Sequence, residues 1–226
     1  MKVDSHWHRL QTADDVAQAV CQTVLDDAVK AIAERGQFKI VLAGGTTPEK
    51  VYRLLAQADA DWSKWFIYYG DERCLPEDHA DRNSLMATQA FLRKVAIPQT
   101  QIFTIPAELG PEQAAKQYQQ AIKAALPFNV VLLGMGEDGH TASLFPGHVH
   151  PLDELTHAVY NSPKPPPERV TISAKALSDS QRVIFLITGA NKQDAVKQWR
   201  SGFNLPVATI QARHIDIYID RDAWCD

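Results

Sequence analysis

An aspartate and a histidine two positions apart, Asp138 and His140, lie in a turn with three glycines, Gly134, Gly136 and Gly139. A short apolar run precedes this turn and, bounded by glycine, is typical of a buried strand. Ligands of open α/β sheets bind in the loops just past the carboxyl ends of the strands. A carboxylate and an imidazole in such a loop predict a pair that transfers protons. The alternative is a glycine-rich turn whose histidine only caps a helix or binds a carbonyl group.

A second glycine turn has the features of an anion site. Gly44, Gly45, Thr46 and Thr47 separate an apolar run at 38–43 from an amphipathic helix. A helix start offers free N–H groups and the positive end of its dipole, so we expect a phosphate or carboxylate to bind here. We also expect Thr47 to cap the helix. The pattern is neither GxGxxG nor GxxxxGK[ST] and implies no nucleotide. An ordinary strand-to-helix turn is the alternative.

Further charged residues follow a strand or a stiff loop. Asp71 and Arg73 come directly after the apolar run at 65–69, where the planar fork of an arginine could bind an anion. A surface aspartate–arginine pair of little energetic value is the alternative. Prolines around Lys164 stiffen the segment that ends at Arg169, so both cations could be held at little entropic cost. A rigid connector with solvated charges is the alternative there.

Two His-x-His pairs, His6 with His8 and His148 with His150, could suggest a metal. Residues two apart on a strand share a face, but no cysteine or acidic partner has matching spacing. We expect an edge strand for the first pair and loop histidines for the second, and we predict no metal. The chain has three cysteines, an odd number without a CxxC spacing, and we expect them to be reduced.

Composition narrows the class of protein. The chain has 226 residues, a formal net charge of −4 and 45% hydrophobic residues. There is no basic excess to neutralise nucleic-acid phosphates, so no nucleic-acid partner is expected. No apolar run approaches the ~20 residues of a membrane span, and the N-terminus lacks the apolar core of a signal peptide. We therefore expect a cytoplasmic protein with no membrane partner.

Strand-like and helix-like segments alternate along the chain, which predicts an α/β fold with a mainly parallel sheet and helices on both faces. No linker or repeat interrupts residues 1–226, so we predict one domain. The helix at 12–35 has Thr12 as its expected cap and Gly36 at its end. Less regular segments predict strands at 101–105 and 206–210 and a short helix at 141–145.

Four segments together resemble the 6-phosphogluconolactonases: 42–48, 69–76 with 81–84, 133–147, and 162–169. The resemblance runs from about residue 40 to residue 190. Its Gly-x-Asp-Gly-His-Thr-Ala-Ser-Leu-Phe string is specific. The Gly-Gly-x-Thr-Pro string is shared with the glucosamine-6-phosphate deaminases. Those deaminases typically follow Asp-Gly-His with Ile-Ala-Phe-Asn-Glu, which this chain lacks.

The resemblance implies a modified Rossmann-like sheet and a reaction. The reaction is hydrolysis of 6-phospho-D-glucono-1,5-lactone to 6-phosphogluconate in the pentose phosphate pathway, without a cofactor. By motif position and chemistry, His140 would be the general base. Asp138 would orient that imidazole, place the water, or instead face the sugar hydroxyls. The phosphate and the oxyanion would pair with three cations, Arg73, Lys164 and Arg169. The sequence does not assign either task to a particular one of them. The expected substrate-binding residues are Gly44, Gly45, Thr46, Thr47, Asp71, Lys164 and Arg169.

Two other functions stay open. An amino-sugar phosphate deaminase or isomerase would use Asp71 to abstract a proton, and the Thr-Ala-Ser-Leu-Phe tail disfavours it. A non-catalytic sensor of sugar phosphates would need the phosphate grip but no base, and the presence of Asp138, His140 and Arg73 disfavours it. We expect a monomer or a weak homo-oligomer.

Overall fold

Six parallel strands form the central sheet of the computed structural model, which describes residues 4–225. Part of the N-terminal segment considered above, residues 1–3, lies outside the described residues. The strands are, in chain order, β1 (Asp4–Leu10), β2 (Phe38–Leu42), β3 (Trp65–Tyr69), β4 (Asp71–Arg73), β5 (Phe128–Gly134), β6 (Thr156–Val159), β7 (Arg169–Ile172), β8 (Ser180–Ile187) and β9 (His214–Asp220). The central sheet has the order β1-β9-β8-β5-β2-β3, and every neighbouring pair is parallel.

A small antiparallel sheet, with the order β4-β7-β6, stands beside the central one. The chain passes from β3 to β4 through Gly70, whose N–H donates to the Leu42 carbonyl at 3.0 Å. Asp71 pairs with Thr171 of β7, about a hundred residues along the chain. The sequence analysis did not predict this sheet, because three charged residues carry no strand pattern and their pairing partner is distant.

In the described part of the chain, six α-helices pack around the strands: α1 (Ala13–Arg35), α2 (Thr46–Leu55), α3 (Asn83–Ala90), α4 (Pro111–Ala125), α5 (Ala174–Ser178) and α6 (Gln193–Arg200). Helix α1 begins as predicted, since the Thr12 hydroxyl accepts from the Asp15 N–H and the Asp15 carboxylate accepts from the Thr12 N–H. It ends at Gly36, which is left-handed with φ 74°. Its valines at four-residue intervals are fully buried, and each such burial is worth about 1.5–3 kcal/mol.

The predicted α/β class with a mainly parallel sheet is confirmed. Strand β5 is buried along six of its seven residues, which requires cover on both faces of the sheet. Nearly all of the buried apolar side chains form one continuous cluster, which supports the prediction of one domain. Strand β1 lies at the edge of the sheet, so the prediction that His6 and His8 lie on an edge strand is confirmed. Within residues 4–225, no helix has both the length and the hydropathy to cross a membrane.

The strands predicted at 101–105 and 206–210 are wrong. Residues Gln99–Gln101 form a 3₁₀ turn, and only Ile102 bridges to β3. The Gln101 amide donates to the Trp65 carbonyl at 2.7 Å, so a side chain takes a backbone acceptor of the sheet edge. Residues Pro206–Thr209 are also a 3₁₀ turn, which suits a proline at the first helical position.

The helix predicted at 141–145 is also wrong. The segment is a turn, with Ala142 at φ 48° and a bridge between Thr141 and Leu144. The Thr141 hydroxyl donates to the Gly134 carbonyl at 2.8 Å. This bond draws the segment back toward β5, and the left-handed residue that follows stops a helix from forming.

Candidate functional site

A cleft of about 220 Å³ opens beyond the carboxyl ends of β2, β3, β5 and β8. Six of the predicted site residues line it: Gly44, Gly45, Asp71, Arg73, His140 and Arg169. The sheet brings them together because the carboxyl ends of parallel strands share one edge. A larger cleft, of about 320 Å³, lies at the opposite edge between α1 and the starts of β5, β8 and β9. Its lining contains none of the predicted site residues, so the chemistry belongs to the smaller cleft.

Asp138 and His140 form the expected hydrogen-bonded pair. The distance from His140 Nδ1 to Asp138 Oδ1 is 2.5 Å, and the His140 backbone N–H reaches the same oxygen at 3.2 Å. Burial raises the pKa of the Asp138 carboxyl, but its contacts with His140 outweigh burial and leave the pKa below its ordinary value. An ionised Asp138 accepts from Nδ1–H, so His140 Nε2 keeps its lone pair. Within residues 4–225 this Nε2 has no hydrogen-bond partner and can take a proton.

Gly136 leaves the space that this pair occupies. A Cβ at Gly136 would lie 2.1 Å from His140 Nδ1 and 2.6 Å from Asp138 Oδ1. We expect Gly136→Ala to push the two side chains apart and lower turnover by about 10²-fold, the effect of a misplacement near 1 Å. Gly134→Ala is the matched control, since its Cβ would meet no described atom within 4 Å. Steady-state measurement of kcat for the two variants checks this prediction, and equal kcat values in Gly136→Ala and Gly134→Ala would contradict it.

Asp71 is buried and held on both carboxylate oxygens. The Ser143 hydroxyl donates to Oδ2 at 2.6 Å, and the Asn83 amide donates to Oδ1 at 3.1 Å. Gly44 must lack a Cβ here, because that atom would lie 2.0 Å from Asn83 Oδ1. Asn83, which the sequence analysis did not select as a site residue, therefore joins the Gly-Gly turn to the carboxylate. The result is a fixed acceptor facing the cleft.

The two arginines that line the cleft differ in how many donors they keep. Arg73 donates from Nη1 to the Asp81 carbonyl at 2.6 Å. Its buried Nε has no partner among the described residues. Arg169 is buried and donates from Nη2 to the Pro165 carbonyl at 2.9 Å and from Nε to the Pro166 carbonyl at 3.2 Å. Arg169 is thus largely structural, and Arg73 has more capacity to bind an anion.

The two lysines of interest lie in different places. The Lys164 ammonium forms an ion pair with Glu137 and does not line the cleft. Lys192 does line it, and the sequence analysis did not select this residue. Burial lowers the pKa of the Lys192 ammonium, although Glu137 and Asp138 act in the opposite direction. One sequence feature could have identified Lys192 as a site residue. It lies in a glycine-containing loop just after β8, and the other predicted site residues also lie in loops that follow strands.

Helix α2 begins at Thr46, with Gly45 as its cap residue. The prediction that Thr47 caps the helix is wrong, because the buried Thr47 hydroxyl lies 2.6 Å from the Thr188 hydroxyl. No side chain in the described chain hydrogen-bonds to the first-turn N–H groups as a cap. Thr46 is exposed at this turn. The uncapped helix start leaves backbone donors for an anion.

The second histidine pair lies in the loop after β5 and contacts a third histidine. His150 Nδ1 is 2.9 Å from Nε2 of His157, which is buried on β6. Burial, together with the neighbouring His150, lowers the pKa of His157 to about 4. No three His, Cys, Asp or Glu side chains within residues 4–225 are grouped to hold a metal ion.

Acid should destabilise the protein through His157. Its unfolded pKa is near 6.5, so above that pH both states are neutral and full stability is present. As the pH falls from there toward 4, the unfolded chain binds the proton first and the free energy of unfolding decreases. Urea unfolding at about pH 7.5 and about pH 5 measures the decrease. It should be smaller in His157→Gln, and an equal decrease in both proteins would contradict the expectation.

Comparison with known sequences finds a matching family model and relatives that are named as 6-phosphogluconolactonases. The family model of glucosamine-6-phosphate isomerases/6-phosphogluconolactonase matches residues 11–219. A probable 6-phosphogluconolactonase 4, chloroplastic, from Oryza sativa subsp. indica is 37% identical over 204 residues, covering 82% of this chain and 63% of that protein. A 6-phosphogluconolactonase from Synechocystis sp. is 39% identical over 176 residues, covering 74% of this chain and 73% of that protein.

A solved structure agrees with these sequence relatives. The crystal structure of a 6-phosphogluconolactonase from Thermotoga maritima has a TM-score of 0.89 at 27% identity, covering 96% of this chain and 99% of that one. The chain spans less than two thirds of the length of the rice relative, at 63%.

Proposed function

The chain belongs to the family of glucosamine-6-phosphate isomerases and 6-phosphogluconolactonases, and on this premise we propose that it hydrolyses 6-phospho-D-glucono-1,5-lactone to 6-phosphogluconate. The observation that carries the proposal is His140, which lines the cleft together with Arg73, Arg169 and Lys192 and is paired from behind with Asp138. A base and several cations in one cleft suit a phosphorylated ester substrate. The sequence neighbours named as lactonases support the same reaction.

His140 activates the water in this reaction. Nε2 takes a proton from water as the oxygen attacks the lactone carbonyl, and Asp138 stabilises the imidazolium that forms. When the tetrahedral intermediate collapses, the ester C–O bond breaks and the proton passes from Nε2 to the ring oxygen. Atoms and charge balance without a cofactor. A general base of this kind contributes about 10²–10⁴-fold in rate.

Substrate binding divides between the two sides of the cleft. The uncapped start of α2, with Gly44, Gly45 and Thr46, offers N–H groups to the phosphate, and Lys192 supplies a cation in the lining of the same cleft. Thr47 supports this turn through Thr188.

Charged residues complete the grip on the substrate. Arg73 is our choice for the developing oxyanion, because it lines the cleft, is partly exposed, and has an Nη2 that makes no hydrogen bond within the described residues. Asp71 accepts a hydrogen bond from a sugar hydroxyl. Arg169 stabilises the lining of the cleft through its hydrogen bonds to the Pro165 and Pro166 carbonyls. Lys164 lies outside the cleft lining and is held by its ion pair with Glu137.

An assay with two substrates tests the function and separates the rivals. Freshly generated lactone is followed above its spontaneous hydrolysis, and glucosamine 6-phosphate is assayed in parallel for ammonia. Rapid lactone turnover with no ammonia supports the lactonase. Ammonia without lactone turnover would move the chain to the deaminase activity of the same family. Tight binding of the phosphate compounds without turnover of either would indicate a sensor.

Lys192→Met is expected to raise KM for the phosphorylated lactone by about 10–100-fold, since a charge-assisted hydrogen bond is worth about 1.5–3 kcal/mol. The unphosphorylated 1,5-lactone should show a much smaller change, because it lacks the group that Lys192 binds. Lys164→Met is the matched comparison, with its ammonium already paired to Glu137. If KM rises in Lys164→Met and not in Lys192→Met, the phosphate contact belongs to Lys164.

Cellular location and assembly belong to this proposal too. We place the protein in the cytoplasm, as the composition suggests, with the small sugar-phosphate lactone as its partner and no nucleic-acid ligand. We expect a monomer or a weak homo-oligomer, because the proposed site is built within one chain.

A further inference from the structure

Phe145 lies between two side chains of the proposed active site. Its ring centroid is 4.7 Å from that of His140, and the Arg169 guanidinium carbon is 5.7 Å from the Phe145 ring centroid. The Phe145 side chain is 1% exposed. A buried ring in contact with both groups limits the rotamers that each can adopt. The orientation of the His140 imidazole therefore depends on where Phe145 is held.

The backbone of Phe145 is anchored by a histidine. Its N–H donates to His150 Nε2 at 3.1 Å. The same Nε2 also lies 3.3 Å from the Phe145 carbonyl oxygen, which could only accept. The contact with the N–H is the shorter of the two, so we take Nε2 as the acceptor, which leaves the proton of a neutral His150 on Nδ1. That Nδ1–H then donates to His157 Nε2 at 2.9 Å. The two imidazoles thereby tie the loop that carries Phe145 to β6 of the small sheet.

The hydrogen bond between His150 and His157 has a free-energy cost at His157. His157 must carry its own proton on Nδ1, which is buried with no partner among the described residues. A buried unsatisfied donor is unfavourable by about 1–3 kcal/mol. An apolar residue at that position would avoid the cost but would leave the His150 N–H without an acceptor. The burial that lowers the pKa of both rings keeps them neutral, as the hydrogen bonds require.

We propose that His150 is a positioning residue for the hydrolysis, acting through Phe145 on His140 and Arg169, with His157 fixing its tautomer. The inference rests on the proposed function. His150 itself does not line the cleft, and its effect on the reaction is to hold the base in its orientation. Its loss should therefore lower kcat more than it raises KM.

Three variants test this. His150→Leu removes the acceptor for the Phe145 N–H and is expected to lower kcat by about 10–10²-fold. His150→Gln keeps an acceptor and a donor and should restore most of kcat. His148→Leu is the matched control, because His148 stacks near Phe145 and His150 but makes no side-chain hydrogen bond in the described chain. It should retain kcat near wild type.

The outcomes separate the two proposals. Wild type that does not hydrolyse the lactone overturns the proposed function and this inference with it. An active wild type with undiminished kcat in His150→Leu overturns only the inference, as does an equal loss in His148→Leu. If His150→Leu does not fold, long-range ¹H–¹⁵N spectra of the wild-type protein test the inference, because they show which nitrogen of each imidazole carries the proton. His150 and His157 must both be neutral and protonated at Nδ1, and a proton on Nε2 of His150 would refute the inference.

Discussion

Replacing His140 with glutamine is expected to lower kcat for the phosphorylated lactone by about 10²–10⁴-fold, the usual contribution of a general base. Glutamine keeps the size and polarity of the side chain but cannot take the proton from water. The Asp138 carboxylate, 2.5 Å from Nδ1 in the wild type, cannot replace it because it points at the ring and not at the substrate. KM should change far less, because phosphate binding lies with other residues. Stopped-flow hydrolysis corrected for spontaneous opening measures kcat.

Asp138→Asn is the informative companion to this variant. Its amide can still bond to His140 Nδ1 but supplies no charge to stabilise the imidazolium. We expect a smaller loss of kcat than in His140→Gln, with folding unaffected. Turnover near wild type in His140→Gln would remove the base assignment. A full loss in Asp138→Asn with activity kept in His140→Gln would make Asp138 the base instead.

Glu72→Ala is expected to lower the free energy of unfolding by about 3–5 kcal/mol, the cost of breaking a buried ion pair from one side. Glu72 is fully buried and lies 3.3 Å from Arg82 Nε, whose side chain is 2% exposed. Its carboxylate also accepts from the backbone N–H groups of Asn83 and Ser84, each at 2.8 Å. Without this carboxylate, Arg82 loses its buried anionic partner and keeps Glu108 and backbone carbonyls. The first N–H groups of α3 lose their acceptor at the same time.

Equilibrium unfolding in urea measures this loss, with an unchanged slope as the sign of an intact native state. Glu49→Ala is the matched control, because Glu49 pairs with Arg53 on the exposed surface of α2 and such pairs are worth about 0–1 kcal/mol. A comparable effect of the two substitutions would contradict the buried-pair argument. We also expect reduced activity in Glu72→Ala, because Asn83 and Arg73 lose a shared acceptor.

Local patterns in the sequence predicted much of the fold. The central strands and α1 follow from apolar periodicity and from capping chemistry, which act over a few residues. The Asp138–His140 pair was predictable for the same reason, since two positions in one turn meet whatever the rest of the chain does. The loops of the cleft were also predictable, because carboxyl ends of parallel strands gather at one edge.

Where that reasoning failed, long-range contacts overrode local preference. The short strand β4 exists because β7 pairs with it, and no pattern in Asp71–Arg73 shows this. The turn at 141–145 formed in place of a helix because Thr141 binds the Gly134 carbonyl. The strand predicted at 101–105 was lost because the Gln101 side chain took a backbone acceptor at the sheet edge.

By itself, the sequence determined the mainly parallel sheet, the turn that carries Asp138 and His140, and the set of charged residues from which an anion site could be built. Only the tertiary structure decided which cations enter the cleft: Lys192 lines it, while Lys164 turns to Glu137. It also decided that Asn83 joins Gly44 to Asp71 and that His150 and His157 hold Phe145. The physical reason is the distance along the chain over which each interaction acts. Strands, caps and turns depend on neighbours in the chain, whereas the direction of a long side chain depends on residues that folding brings close.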